Sequence, residues 1–222
     1  MSLLRQLAAL CIALVVLTDA ANAAADEDTI RLGIVLDDRG SPAARHLAAT
    51  IAEADRIWHR HGVTVLVAGA VDFAPDALRL TLTFEPARRK PGQEPGLGSI
   101  WFDEDGSPGN VVALDLTAVT AHIKQATIGG RPYGEWPPAL AAQMVGRALG
   151  RVLAHEIGHY LLASPAHART GLMQAAFNSR ELAGWDRRSF ELDETALPRL
   201  RARLARLESR QKTLAAARES TR

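Results

Sequence analysis

The sequence predicts an α+β domain in which five strands precede a long buried helix, with a second long helix at the C-terminus. Three observations carry that expectation. Short apolar stretches, alternating or rich in β-branched residues, recur through the first half of the chain. One unusually apolar stretch of helical period follows them. The final segment then repeats leucine on one face among many arginines.

Residues 1–23 read as a removable secretory signal, which leaves 24–222 as a single domain. Arg5 supplies the positive start, residues 7–17 the apolar run, and Ala21-Asn22-Ala23 the cleavage site, with cleavage after Ala25 as the near rival. The run is about half of the roughly 20 residues that a spanning helix needs, so no stable membrane span is expected after signal removal. Export to a periplasm or to the extracellular space follows. The one cysteine, Cys11, lies within that signal. The mature chain would therefore offer histidines and carboxylates, but no thiolates, as metal ligands.

Residues 29–36 form the first expected strand. Ser41-Pro42 is a helix start, with Ser41 as cap, and Leu47, Ile51, Ala54 and Trp58 share a face until Gly62 stops the helix. Strands are expected at 63–67 and 77–84. Proline, glycine and basic residues then mark a surface loop over 85–99. A short strand at 99–102 leads into an acidic turn, 103–110, which lacks the ligand spacing of an EF-hand loop. A fifth strand is expected at 111–116 and an irregular stretch at 129–138.

The long helix begins near Ala139 and ends at Ser164-Pro165. Met144, Val145, Leu149, Val152, Leu153, Ile157, Leu161 and Leu162 make it apolar on most sides, and only a strip through Arg147 and Arg151 suits water. The terminal helix aligns Leu197, Leu200, Leu204, Leu207 and Leu214 among eight basic residues from Arg199 onward. Packing back on the domain is its first expected role, and a partner or membrane surface the second. Composition is that of an ordinary soluble domain, 47% hydrophobic and 23% charged, which argues against disorder. With 26 basic and 25 acidic residues, no global basic field points to nucleic acid. Oligomeric state is not legible.

Three of the seven histidines lie between 155 and 167. His155-Glu156-Ile157-Gly158-His159 is an H-E-x-x-H match, and residues four apart on a helix share one face, so two imidazoles can meet one metal ion. Burying two histidines and a glutamate is costly unless something satisfies them. His167 follows the break at Pro165, and Gly171-Leu172-Met173 places a methionine in a turn beyond it. Three protein ligands with a fourth position open is the arrangement of a catalytic zinc ion.

With these residues the chain resembles the zincin metallopeptidases, and within them the metzincins, marked by H-E-x-x-H-x-x-G-x-x-H and a methionine turn. His155, Glu156, His159, His167 and Met173 match those elements in order. The resemblance implies a twisted, mostly parallel five-stranded sheet, an upper subdomain of about 27–164 and a lower one of about 165–222. It implies zinc on His155, His159 and His167, Glu156 as general base, and Met173 packed beneath the metal. A peptide or protein substrate would lie antiparallel to an edge strand, placing it against Ser99, Ile100 and Trp101. The expected activity is that of an exported zinc endopeptidase; the alternative is a domain of the same fold that binds metal or protein without turnover. Two departures stand out. Leu162 replaces the motif's glycine, and the third histidine comes eight residues after His159 instead of six. Glu181, as in gluzincins, stays open as the alternative third ligand. His46, His59, His61 and His122 lack ligand spacing and read as surface or satisfied polar residues.

Overall fold

Strands rich in valine, leucine and isoleucine, each too short for a helix, pair into one sheet in the computed structural model, which describes residues 29–37, 42–68, 78–86 and 96–220. The expected signal, the Ser41 cap, Ala77 and most of the loop at 85–99 lie outside the described residues. The strands are β1 (Ile30–Leu36), β2 (Val63–Val67), β3 (Leu78–Thr83), β4 (Gly98–Phe102) and β5 (Pro108–Leu114). Their order is β2-β1-β3-β5-β4, parallel except for β4, which runs antiparallel to β5 and forms an edge. Leu32, Ile34, Leu80, Leu82, Val112 and Leu114 are buried, whereas Arg31 and Arg79 are exposed. One face of the sheet therefore carries the core.

Helix α1 (Leu47–Trp58) follows a 3-10 turn at Pro42–His46, and the chain leaves it at Gly62, whose φ of 75° suits glycine. The sequence misplaces both ends of the fifth strand, which begins at Pro108, inside the expected turn. β5 ends at Leu114, and Asp115 caps a helix α2 (Leu116–Ile123) by accepting from the Ala118 N–H at 2.8 Å. Thr117, Val119 and Thr120 resemble a strand by composition, but that side-chain cap starts a helix. A two-stranded hairpin, β6 (Thr127–Ile128) and β7 (Arg131–Pro132), leads to α3 (Pro138–Leu162). A short α4 (Ser179–Ala183) and the long α5 (Ala196–Glu219) complete the chain.

Helix α3 packs across α1, and two glycines permit the approach. A Cβ at Gly146 would lie 2.6 Å from the Ala49 Cβ, and one at Gly150 would lie 2.5 Å from the Thr50 carbonyl oxygen. The Trp58 indole N–H also donates to the Ala154 carbonyl at 3.0 Å. The strip expected to face water is instead inside: Arg151 is fully buried and Arg147 nearly so. The Arg151 guanidinium pairs with Glu53 of α1 at 3.0 Å, a partner 98 residues away in sequence, so charge alone misled the reading. Leu200, Leu204 and Leu207 of α5 are buried and the helix contacts α3, so α5 packs back on the domain. Among the described residues, no helix is long and apolar enough to cross a membrane.

Candidate metal centre and cleft

On α3, His155, Glu156 and His159 are all buried. The helix stops three residues beyond His159 because Ala163 takes a left-handed conformation, φ 45°, and its N–H turns back to the Tyr160 carbonyl at 3.3 Å. Alanine thus makes the reversal one position after the residue, Leu162, where glycine was expected. A Cβ in that region costs about 1–2 kcal/mol. Ala163→Gly is therefore expected to raise stability by about 0.5–1 kcal/mol after the added chain entropy is discounted. Thermal unfolding should show a Tm higher by a few degrees; a lower Tm would contradict the strain.

Beyond Pro165 the chain doubles back, with the Ala168 N–H donating to the Met173 carbonyl at 2.7 Å and Gly171 at φ 82°. The reversal brings His167 onto the pair from α3. Its ring stacks on His155 with centroids 5.2 Å apart and meets His159 edge-on at 4.9 Å. One ligand nitrogen from each of the three imidazoles lies within 4.8 Å of the others. Met173 packs against Gly158, the residue before His159, where an added Cβ would run into its sulfur. Glu181 is elsewhere. Its carboxylate accepts from the Asn178 N–H at 2.8 Å in the capping box of α4, so the alternative third ligand is not at the cluster.

The hydrogen bonds of the two helix histidines decide what their rings can do. The His155 Nδ1 lies 2.7 Å from the Leu172 carbonyl and the His159 Nδ1 lies 2.7 Å from the Ser164 carbonyl. A carbonyl only accepts, so each Nδ1 carries the proton and each neutral ring presents a lone pair at Nε2. Those two Nε2 atoms face each other at 3.1 Å. Two lone pairs at that distance repel unless a cation lies between them. Three imidazole donors suit zinc, and nitrogen ligands at about 2.0–2.1 Å in tetrahedral array sit roughly 3.3 Å apart, close to the spacing observed. The residues fit the ion. Burial also holds His155 in the neutral, ligating form, lowering its pKa to about 4, with His159 beside it acting the same way. Burial likewise lowers His159 and His167.

Glu156 faces the cleft from the same turn. Burial pushes its carboxyl up to about 8, opposed by a hydrogen bond from the Ile100 backbone on β4. The cleft encloses about 860 Å³ and brings His155, Glu156, His159 and His167 together with Ser99, Ile100 and Trp101. Trp101 is 57% exposed on this edge. Sequence reasoning missed several wall residues. Phe177 meets His155 edge-on at 5.7 Å and Phe102 meets His159 edge-on at 6.4 Å, and neither carries a sequence signal beyond being aromatic. His122 also lines the cleft, and its buried Nε2 has no hydrogen-bond partner among the described residues. The His61 Nε2 is likewise unpartnered, so the reading of these two as satisfied or surface residues does not hold.

No family model and no curated protein matches the sequence. Among solved structures, the archaemetzincin of Methanopyrus kandleri is similar at 16% identity and a TM-score of 0.47. The match covers 80% of this chain and 97% of that one.

Proposed function

We propose that this chain is a zinc-dependent endopeptidase of metzincin type, with the ion held by His155, His159 and His167. The observation that carries the reading is the facing pair of Nε2 lone pairs, 3.1 Å apart, each fixed by a carbonyl behind its ring. Zinc bound there would act as a Lewis acid, polarising a peptide carbonyl and acidifying water. The chain's own residues supply the rest. Glu156 accepts the proton of the attacking water at its carboxylate and returns it to the leaving amine. Burial alone favours the protonated carboxyl, and a cation on the neighbouring histidines would lower it and leave the carboxylate free to act as base. The exposed side of β4 offers backbone groups to an extended peptide, and Met173 supports the turn of α3 from below.

Trp101 would give that strand its main apolar contact. Trp101→Ala is expected to raise KM about five- to tenfold, the worth of roughly 1 kcal/mol of aromatic contact, with kcat within twofold. An unchanged KM across a peptide series would remove Trp101 from the substrate path.

The function is tested by zinc analysis together with cleavage of a peptide library, with and without a chelator. One zinc per chain and cleavage that chelation abolishes and zinc restores are expected. One zinc per chain with no cleavage would instead favour a domain that binds metal or protein without turnover, and cleavage indifferent to chelator would reject zinc catalysis. From the signal-like residues 1–23 we also infer that the protein is exported. N-terminal sequencing of chain recovered outside the cytoplasm should begin at Ala24.

A further inference from the structure

The basic C-terminal helix has no part in the cleft. From Arg199 to the end, eight basic residues stand against Glu208 and Glu219, a surplus of six positive charges in a chain whose total is +1. The remainder is therefore net acidic, and the surplus of positive charge is carried by this C-terminal segment. The apolar side of α5 is already spent on α3 through Leu200, Leu204 and Leu207. What it offers outward is charge.

Arg199, Arg203 and Arg206 fall on successive turns of one face and line a groove of about 430 Å³ with Leu162 and Ala163 of the α3 terminus. No carboxylate lines the groove, and among the described residues none pairs with these three arginines. Arg206 Nε is occupied by the Ala202 carbonyl at 3.1 Å, but the buried Arg203 Nε has no hydrogen-bond partner among the described residues. A buried donor without an acceptor is unusual and costly. Arg203 and Arg210 also lie near enough to act on the half-buried Tyr160 hydroxyl.

We propose that this groove binds a dianionic oxyanion of the phosphate class, free or carried on a lipid headgroup. Several planar guanidinium forks suit a multivalent tetrahedral oxyanion, whose oxygens can take more of their donors than the two of a carboxylate. Because Leu200, Leu204 and Leu207 are already turned inward, attachment to a surface through this stretch of α5 would rest on headgroup charge. The competing structural role, in which the arginines only complement the negative end of α3, predicts no preference among anions.

The test uses the full zinc-loaded chain. Thermal unfolding is compared in phosphate and in chloride at equal pH and ionic strength, and inorganic phosphate is titrated calorimetrically. A saturable stabilisation specific to phosphate is expected. The double variant Arg199→Gln/Arg203→Gln should bind phosphate at least tenfold more weakly, whereas Arg201→Gln, exposed and outside the groove, should bind as the parent does. Sedimentation with phosphatidic acid–phosphatidylcholine vesicles, whose phosphomonoester is the lipid-borne form of the same anion, separates the two sources. Pelleting that the double variant loses assigns the headgroup, and phosphate saturation without pelleting assigns the free anion. Identical unfolding in both salts with no pelleting would overturn the proposal, as would a phosphate response that the double variant keeps intact, which would place the anion at the metal centre.

Discussion

Glu156→Ala is expected to keep one zinc per chain and to lose peptide hydrolysis by about 10²–10⁴-fold, the usual worth of a general acid–base group. The two effects separate because Glu156 is not one of the three clustered donors, yet it opens on the same cleft. Its carboxyl receives a hydrogen bond from the Ile100 backbone, the strand against which substrate would align, so proton transfer and peptide registration share one neighbourhood. Glu156→Gln should behave as Glu156→Ala does, since the amide keeps shape but cannot take a proton. Zinc analysis and single-turnover cleavage check both variants. Full activity in either would end the assignment of the base.

The second large effect lies away from the cleft. Glu53→Gln is expected to destabilise the fold by about 3–5 kcal/mol, because it leaves a buried guanidinium uncompensated. Glu53 accepts from Arg151 Nε at 3.0 Å and from Arg187 at 3.0 and 2.7 Å, and both Glu53 and Arg151 are buried. Arg151 also donates to the carbonyls of Glu181, Leu182 and Asp186, stapling α4 and the turn after it to α3. Replacing both partners, Glu53→Leu with Arg151→Met, should cost less than the sum of the single changes. Burial raises the Glu53 carboxyl, but hydrogen bonds and charge from Arg187 and Arg151 outweigh it, and the net shift is downward. A depressed carboxyl stabilises the fold above its unfolded pKa, and that stability is lost as pH falls through the folded value. Urea unfolding from neutral to acid pH should show this loss in the parent and a flatter profile in Glu53→Gln.

The staple reaches the metal centre by contact. The Arg151 guanidinium lies 4.6 Å over Phe190, Phe190 stacks on Phe177 at 4.8 Å, and Phe177 touches the edge of His155. The Leu172 N–H donates to the Glu191 carbonyl at 2.8 Å, while the Leu172 carbonyl receives His155. Loss of the buried ion pair should therefore weaken zinc affinity as well as stability.

What the sequence could disclose follows from how far each signal reaches. His155, Glu156 and His159 sit on one helical turn, so their spacing alone places them together. His167 depends on Ala163 taking a left-handed φ and on a loop folding back, neither of which is written in a residue type. Parallel pairing of β1 with β2 and β3 has no short-range signature beyond apolar strands, and the resemblance to a known family supplied it. Helix α2 was hidden by β-branched residues that continue the character of β5. Arg147 and Arg151 were misread because their burial rests on residues far along the chain: Glu53 pairs with Arg151, and the Gly184 carbonyl and the Trp185 ring take Arg147. Phe177 and His122 join the cleft only through packing.

The central claim is most directly tested by X-ray absorption at the zinc edge of the metal-loaded chain. Three imidazole nitrogens at about 2.0–2.1 Å and one further light ligand are expected, with one imidazole lost in His167→Ala and none in Glu181→Gln. Two imidazoles with a carboxylate, or no change on removing His167, would contradict the three-histidine centre.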